Sequence, residues 1–590
     1  MIATTPAAAD RNQRATMQLG RAILVLAAIA LTGAASIGRV NNKARDCNSP
    51  IYCKGPLLQT VQLAGIFPDS KTFVDLRQIH DPEETLANFN NLMNATNNMP
   101  SRSQVEQYVK ENFADTSELL NSTLPDWKES PSILKRVQDP KYRQWLSSLN
   151  GIWKNLAKKM ADDVAANPQK HSLIYVNNTF VVPGGRFKEF YYWDSYWVIE
   201  GLLLSDMHQT AKGMIDNFLY MVEKYGFIPN GGRIYYLMRS QPPMLHLMVS
   251  RYLDFTGDYD YLHSIISTLE MEFAFWQNER LTNVRKNGKT YKMAHYVVRS
   301  NGPRPESYKE DYEIAQQLPA NSQEFFYNNI KAGAESGWDF SNRWFNGDTV
   351  GGKLGLVNIS TEYIIPVDLN AILQQNARLL GQFHRILGNF RKAASYDKLA
   401  AQIQQAIDNV LWNEEKGVWL DYNLKTNQPR NTFYPTNVAP LYTMSYNQAQ
   451  REEYALSAVK YLQSEGINSF LGGTPSSLHY TGEQWDYPNA WPPLQSFIIM
   501  GLYKTGVQKA VSFAELLADR WVSSNYIGFA NTGQMFEKYD AIMPGRGGGG
   551  GEYNVQTGFG WTNGVIFEIL DVFPRLQYNA SKPDGPGYGQ

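Results

Sequence analysis

Carboxylates, arginines, amides and aromatic rings recur together in seven short stretches of the 590-residue chain, each outside any regular apolar stripe. The segment 183–197, PGGRFKEFYYWDSYW, carries Arg186, Glu189, Trp193 and Asp194. The segment 230–241 adds Asn230, Arg233, Arg239 and Gln241, and the tripeptide 304–306 adds Arg304 and Glu306. ESGWD at 335–339 and EQWDYPNAWPP at 483–493 follow, then FEKYD at 536–540. Last comes a run of five glycines, Gly547–Gly551, leading straight into Glu552 and Tyr553. Any one of these could be a structural ion pair or a packed tryptophan. All seven together read as a sugar site. Tryptophan and tyrosine stack on sugar rings, while arginine, amide and carboxylate groups meet hydroxyls with paired hydrogen bonds. Cleaving a glycosidic bond then needs two carboxyls, one protonated to help the leaving group and one ionised on the opposite face.

Other chemistries lack their signatures. The eight histidines are scattered, with no HExxH pair and no Cys/His cluster, so no metal site is expected. There is no GxSxG elbow and no dinucleotide fingerprint, and the glycine run neither follows a strand nor opens a helix as a phosphate loop would. No cofactor is expected. Net charge is −1, from 55 basic and 56 acidic residues, which gives no electrostatic footprint for nucleic acid.

The elements that position these stretches are mainly helical. Leu146, Leu149, Trp153, Leu156, Met160 and Val164 step by three and four, which predicts one amphipathic helix. Met214, Phe218, Met221 and Val222 predict another, stopped at Tyr225-Gly226, and Leu369–Leu387 pairs with Ala393–Leu411. Helices end in Gly257-Asp258-Tyr259, Gly388-Asn389-Phe390 and Thr505-Gly506-Val507, each opening onto a new helix. Tight turns alternate with long polar loops, at 225–243, 301–313 and 333–348 among others. Such alternation favours a closed ring of helical hairpins, with the long loops at one end, over an open solenoid of uniform repeats.

The N-terminus carries an address. Arg11, Arg14 and Arg21 precede the apolar run Ala22–Gly38, with the length of a secretory core and short for a membrane span. A cleaved signal peptide and a signal anchor both fit, and either sends the body of the protein to an extracellular or luminal place. Cys47 and Cys53 fit one small-loop disulfide of an oxidising compartment. Sequons stand at Asn94, Asn121, Asn177, Asn358 and Asn579.

Two long motifs sharpen this reading. Pro183–Tyr196 and Gln484–Pro493 resemble, throughout, the two signatures of the inverting trehalases. DSKTFVDL at 69–76, ESGWDFS at 335–341 and the glycine run before Glu552 are similar to the same family, and the resemblance spans roughly 56–572. It implies an all-α fold, an (α/α)6 toroid. The chain is accordingly divided into a signal peptide or signal anchor at 1–45 and a polar tail at 576–590, both outside the resemblance, with an extension at 46–130 packing on the barrel and a catalytic domain at 131–575 between them. The implied reaction is hydrolysis of α,α-trehalose to two glucoses, with inversion and without metal or cofactor. By motif, Asp339 is the general acid and Glu537 the general base. Arg186, Trp193, Asp194, Asn230, Arg239, Ser240, Gln241, Arg304, Glu306, Gly337 and Glu552 fall on sugar-binding positions. Trp338 is the expected apolar wall of Asp339. An α-glucosidase of similar toroid fold and a non-catalytic sugar-binding relative remain as alternatives. The glycine run is expected to be a mobile lid, tolerant of alanines at Gly548–Gly550 without loss of thermal stability.

Overall fold

Six helices are buried on nearly every side, and they close into a ring. A computed structural model describes residues 47–346 and 355–579, so the apolar run Ala22–Gly38 and most of the polar tail lie outside the described residues. The six are Asp194–Leu204, Leu245–Thr256, Val367–Ile386, Ala439–Thr443, Pro492–Lys504 and Gly560–Val572. Each packs on the next, and the last packs on the first. In Asp194–Leu204 all eleven residues are buried. A helix apolar all round can be stable in water only as the inner layer of something larger.

Amphipathic helices supply the outer layer. Pro140–Leu156, His208–Tyr225, Tyr259–Glu279, Phe390–Ala406, Arg451–Ser464 and Gln508–Thr532 each precede an inner helix in the chain. The fold is therefore the (α/α)6 toroid. Inner-to-outer connections are tight, and each contains one residue at positive φ: Asp206, Gly257, Gly388, Met444 or Gly506. The left-handed residue caps the helix and turns the chain back. The outer-to-inner connections are the long ones, at 157–193, 226–244, 280–366, 407–438, 465–491 and 533–559. Because neighbouring helices alternate in direction, these six share one end of the barrel.

Two elements differ from the periodicity. The helix from Pro140 stops at Leu156, and Met160 and Val164 belong to the strand Ala157–Met160 and the short helix Asp162–Ala166. Both remain buried, so the stripe continues although the helix does not. The strand is held between Leu119–Asn121 and Phe180–Val181, and tertiary pairing overrides the local pattern. The connection 280–366 is also more structured than a loop. It carries a hairpin, Leu281–Lys286 with Lys289–Ala294, and the helices Tyr308–Ala315 and Ala320–Glu335.

The segment from Cys47, where Cys47 and Cys53 are disulfide-bonded, packs on this scaffold through a second apolar cluster. Ile51, Leu57, Leu58, Phe73 and Phe113 meet Tyr191, Tyr235 and Tyr236 of the barrel loops there.

Ring closure depends on two glycines. A Cβ on Gly564 would lie 1.9 Å from the carbonyl oxygen of Trp197, and one on Gly201 would lie 2.9 Å from the Cα of Gly564. Backbone cannot step aside as a side chain can. Overpacking a core typically costs about 1–3 kcal/mol, so Gly564→Ala should lower the melting temperature by several degrees or prevent folding. Gly151→Ala, on an outer helix with nothing within 4 Å, is the control and should be neutral or stabilising by about 0.5–1 kcal/mol. Equal melting curves for the two variants would mean that the close approach is not what holds the ring.

Candidate active site

Five of the six long connections meet in one cavity. Its lining includes Arg186 and Trp193 from 157–193 with Asp194 at the start of the inner helix that follows, and Asn230, Arg239 and Gln241 from 226–244. Arg304, Glu306, Gly337 and Asp339 come from 280–366, Trp485 and Trp491 from 465–491, and Glu537 and Glu552 from 533–559. Thus the structure brings together every sequence-predicted site residue except Ser240. Ser240 is fully buried, its hydroxyl donates to the Ile228 carbonyl at 2.6 Å, and its amide donates to Glu335 at 2.9 Å. It shapes the backbone between Arg239 and Gln241 and does not face the cavity.

The walls are indole rings. Trp485 lies flat on Trp491, with centroids 3.9 Å apart at 3°, and Trp561 stands edge-on to Trp491 and to Trp193. Gly337 permits the fit on the other side. Its φ is +77°, and a Cβ there would come within 2.7 Å of the Trp193 ring. Trp338, expected as the wall of Asp339, does not line the cavity. It stacks behind Trp485 at 5.3 Å, with the Arg343 guanidinium over its other side.

Each arginine is held by a carboxylate. Arg186 makes two 2.8 Å bonds to Asp69, which comes from the N-terminal segment. Arg239 donates to Asn230 at 2.8 Å and to Glu306 at 2.6 Å. Arg304 is forked onto Asp311 and reaches Glu552 at 2.7 Å. Arg239 Nη1 and Glu306 Oε2 are buried with no protein partner. A buried donor and acceptor left unpaired are costly, so the pair is open to a polar ligand. Burial works against the Glu306 charge, but Arg239 and Arg304 overcome it and hold its pKa below the ordinary value.

Three carboxyls have no such cation bonded to them. Burial pushes Asp339 up to about 7; Arg304 opposes the shift and Glu552 adds to it. Asp194 is raised well above the ordinary value by burial, reinforced by the charges of Glu537 and Asp339. Glu537 is raised by burial, against Lys538 and a 2.8 Å bond from the Tyr553 hydroxyl. The Asp339 loop is fastened from behind. Ser341 Oγ and the Asn342 amide both donate to Asp486 at 2.8 Å, and Arg343 bridges Asp368 and Asp421.

Sequence reasoning missed Asp69, Tyr553 and Trp561 as individual partners, although Asp69 and Tyr553 lay in stretches already singled out. An isolated Asp or Tyr carries no spacing signal, because its partner arrives from more than a hundred residues away or from the other side of a turn.

The glycine run is not free backbone. The Gly548 amide donates to the Lys538 carbonyl, Gly549 exchanges two bonds with the Asn489 side chain, and the Gly551 amide donates to the Gly482 carbonyl. A Cβ on Gly550, at φ +75°, would lie 2.6 Å from the Gly482 oxygen, and one on Gly548 would lie 2.5 Å from Asn489 Oδ1. The expectation of an alanine-tolerant lid is overturned. The glycines are there because two loops touch through them, and that contact presents Glu552 to Arg304.

The family model described as Trehalase matches residues 65–574 of the chain. The chain is 53% identical to the trehalase of Pimpla hypochondriaca, over 98% of each sequence. It is 46% identical to the Homo sapiens trehalase, over 89% of this chain and 90% of that one. Among solved structures it is similar to the neutral trehalase Nth1 from Saccharomyces cerevisiae, with TM-score 0.53 and 23% identity, covering 67% of this chain and 73% of that one. At that identity the likeness concerns the fold.

The glycine contacts separate neighbouring positions. Gly549→Ala, with open space at its Cβ, should leave melting and turnover near wild type. Gly550→Ala must adopt a left-handed φ against a carbonyl, and should lose about 1–3 kcal/mol of stability and at least about tenfold in kcat/KM. If the two variants behave alike in melting and kinetics, the run is only a connector.

Proposed function

The chain belongs to the trehalase family and hydrolyses α,α-trehalose to two glucoses, and we propose that Asp339 is its general acid and Glu537 its general base. The observation that carries the assignment is the different surroundings of two buried carboxyls in one indole-walled cavity. A carboxyl raised to about 7 still holds its proton where an acid is needed. Glu537 feels the Lys538 cation and takes a hydrogen bond from Tyr553, both of which favour its charged form.

In this reading Asp339 protonates the glycosidic oxygen as the C–O bond breaks. Glu537 takes a proton from a water that attacks the anomeric carbon from the opposite face, so one glucose leaves with inverted configuration and the other with its configuration kept. Arg239 Nη1 and Glu306 Oε2 take ring hydroxyls, and Trp193 and Trp485 offer flat faces to the sugars. Asp194, whose proton burial helps to retain, donates to a hydroxyl. The α-glucosidase alternative would need a pocket indifferent to the second glucose, and the non-binding acid–base pair of a pure lectin would have no use.

The chain is further read as secreted or held at a membrane by its N-terminal segment. Asn94, Asn121, Asn177 and Asn579 are exposed, and Asn358 is half-buried. Made through a secretory route, the protein should lose mass on N-glycosidase treatment, chiefly from the four exposed sites. An unchanged mass would count against this address.

Asp339→Asn and Glu537→Gln should each cost about 10²–10⁴ in kcat while the melting curve stays put. The pH profile of kcat/KM should be bell-shaped, its basic limb falling above about pH 7 as Asp339 ionises. Its acid limb should reflect protonation of Glu537. Early proton NMR should show one α- and one β-glucose per trehalose. More than about a tenth of wild-type turnover in either variant would remove that residue from its role, and two α-glucoses at early times would remove inversion.

A further inference from the structure

Lys538 follows the proposed base directly, and its side chain is fully buried. Its ammonium donates to Gln484 Oε1 at 2.7 Å and lies over the rings of Trp491, at 4.9 Å, and Tyr553, at 5.4 Å. Among the described residues no carboxylate comes within ion-pair distance of it. Gln484 in turn donates from Nε2 to the main-chain carbonyl of Asp339. An unbroken chain therefore runs from the backbone beside Glu537, through the ammonium and one amide, to the backbone of Asp339.

A buried ammonium without a carboxylate partner is expensive, and a methionine of similar length would pack against the same two rings at no electrostatic cost. The position thus needs a charge. The groups facing Glu537 are Arg186 from the first loop, the Tyr553 hydroxyl, the Gln556 amide, the carboxyl of Asp194, and Lys538 itself. Arg186 is already neutralised by Asp69. Lys538 is the cation among them that carries no carboxylate of its own.

We propose that Lys538 is a positioning residue of the hydrolysis: locked on Gln484, its ammonium fixes the base loop against the acid loop and keeps Glu537 ionised while Asp339 keeps its proton. The proposal rests on the reading of Glu537 as the base. Burial lowers the affinity of Lys538 for its proton, and the charge of Glu537 opposes that shift in part, so ammonium and carboxylate favour one another's charged forms. Of the two carboxyls, Glu537 interacts with Lys538 more strongly than Asp339 does.

The test is the pH profile of trehalose hydrolysis by Lys538→Met, Lys538→Arg and Gln484→Glu, each first shown to be folded by its melting curve. Lys538→Met should lower kcat at least about tenfold, with KM within about threefold. Its acid limb should move up by about one pH unit, because loss of a nearby cation makes the carboxylate easier to protonate. Lys538→Arg should return the limb towards its wild-type position. Should Lys538→Met not fold, Gln484→Glu keeps the cation and gives it a carboxylate, which draws its field from Glu537 and should move the limb in the same direction. An acid limb unmoved in folded Lys538→Met, or in Gln484→Glu, overturns the proposal, as does a Lys538→Arg profile identical to that of methionine. An active Glu537→Gln with its acid limb intact would instead overturn the assignment of the base, so the two failures are distinguishable.

Discussion

The closest approach in the barrel, glycine against backbone where the first and last inner helices meet, decides the rest of the geometry. Six helices buried on nearly every side can hide from water only by closing on themselves, and closure requires that the seam be as tight as the other contacts. Gly201 and Gly564 supply that tightness. Once the ring is shut, alternation of helix direction sends every long connection to one end. Residues more than three hundred positions apart in the chain, Arg186 and Glu537 among them, then line one cavity. The site is a consequence of ring closure, and its precision is inherited from the inner helices on which the loops are seated.

Within that cavity the charges are sorted by pairing. Arginine beside a carboxyl would normally drag its pKa down by one to three units. Here the three cavity arginines are already answered, by Asp69, by Glu306 and by Asp311 with Glu552. Their remaining donors can meet sugar hydroxyls, but much of their field is spent locally. That is why desolvation wins at Asp339 and carries it to about 7 although Arg304 is near. The indole walls act in the same direction, since they admit a sugar face and exclude water.

Much of this was legible in the sequence because chemistry-bearing residues cluster in the long loops while apolar residues keep helical spacing. The loops with Arg186, Arg239, Arg304, Asp339 and Glu537 could be picked out, and the Gly257, Gly388 and Gly506 turns marked the hairpins. What escaped depends on contacts between distant segments. The strand at Ala157–Met160 exists only because Leu119–Asn121 and Phe180–Val181 flank it. The hairpin 281–294 announces itself only through Asn287-Gly288, whose positive φ angles of 51° and 74° suit a tight hairpin turn. The Gly547–Gly551 run looked mobile because glycine is permissive, but permissiveness also allows close approach, and only the partner, Gly482 or Asn489, reveals which property is in use. Ser240 has the same ambiguity: its neighbours on both sides face the cavity, and its own hydroxyl does not.

The N-terminal segment illustrates how far such dependence reaches. It shares no helix with the toroid and has its own apolar cluster, yet Asp69 holds Arg186 with two bonds, and Lys71 and Asp75 enter a buried network with Glu189 and Arg233. Tyr191 joins that network to the cavity, donating to Glu189 and touching Tyr236, and both tyrosines line the site. A barrel lacking this segment would leave the buried Glu189 and Arg233 with only each other, and Arg186 without its carboxylate. Arg186, whose charge already acts on Glu537, would then lose the carboxylate that holds it away. The segment is therefore part of the electrostatic design of the cavity: by taking up the charge of Arg186, Asp69 leaves Glu537 to the influence of its own neighbour.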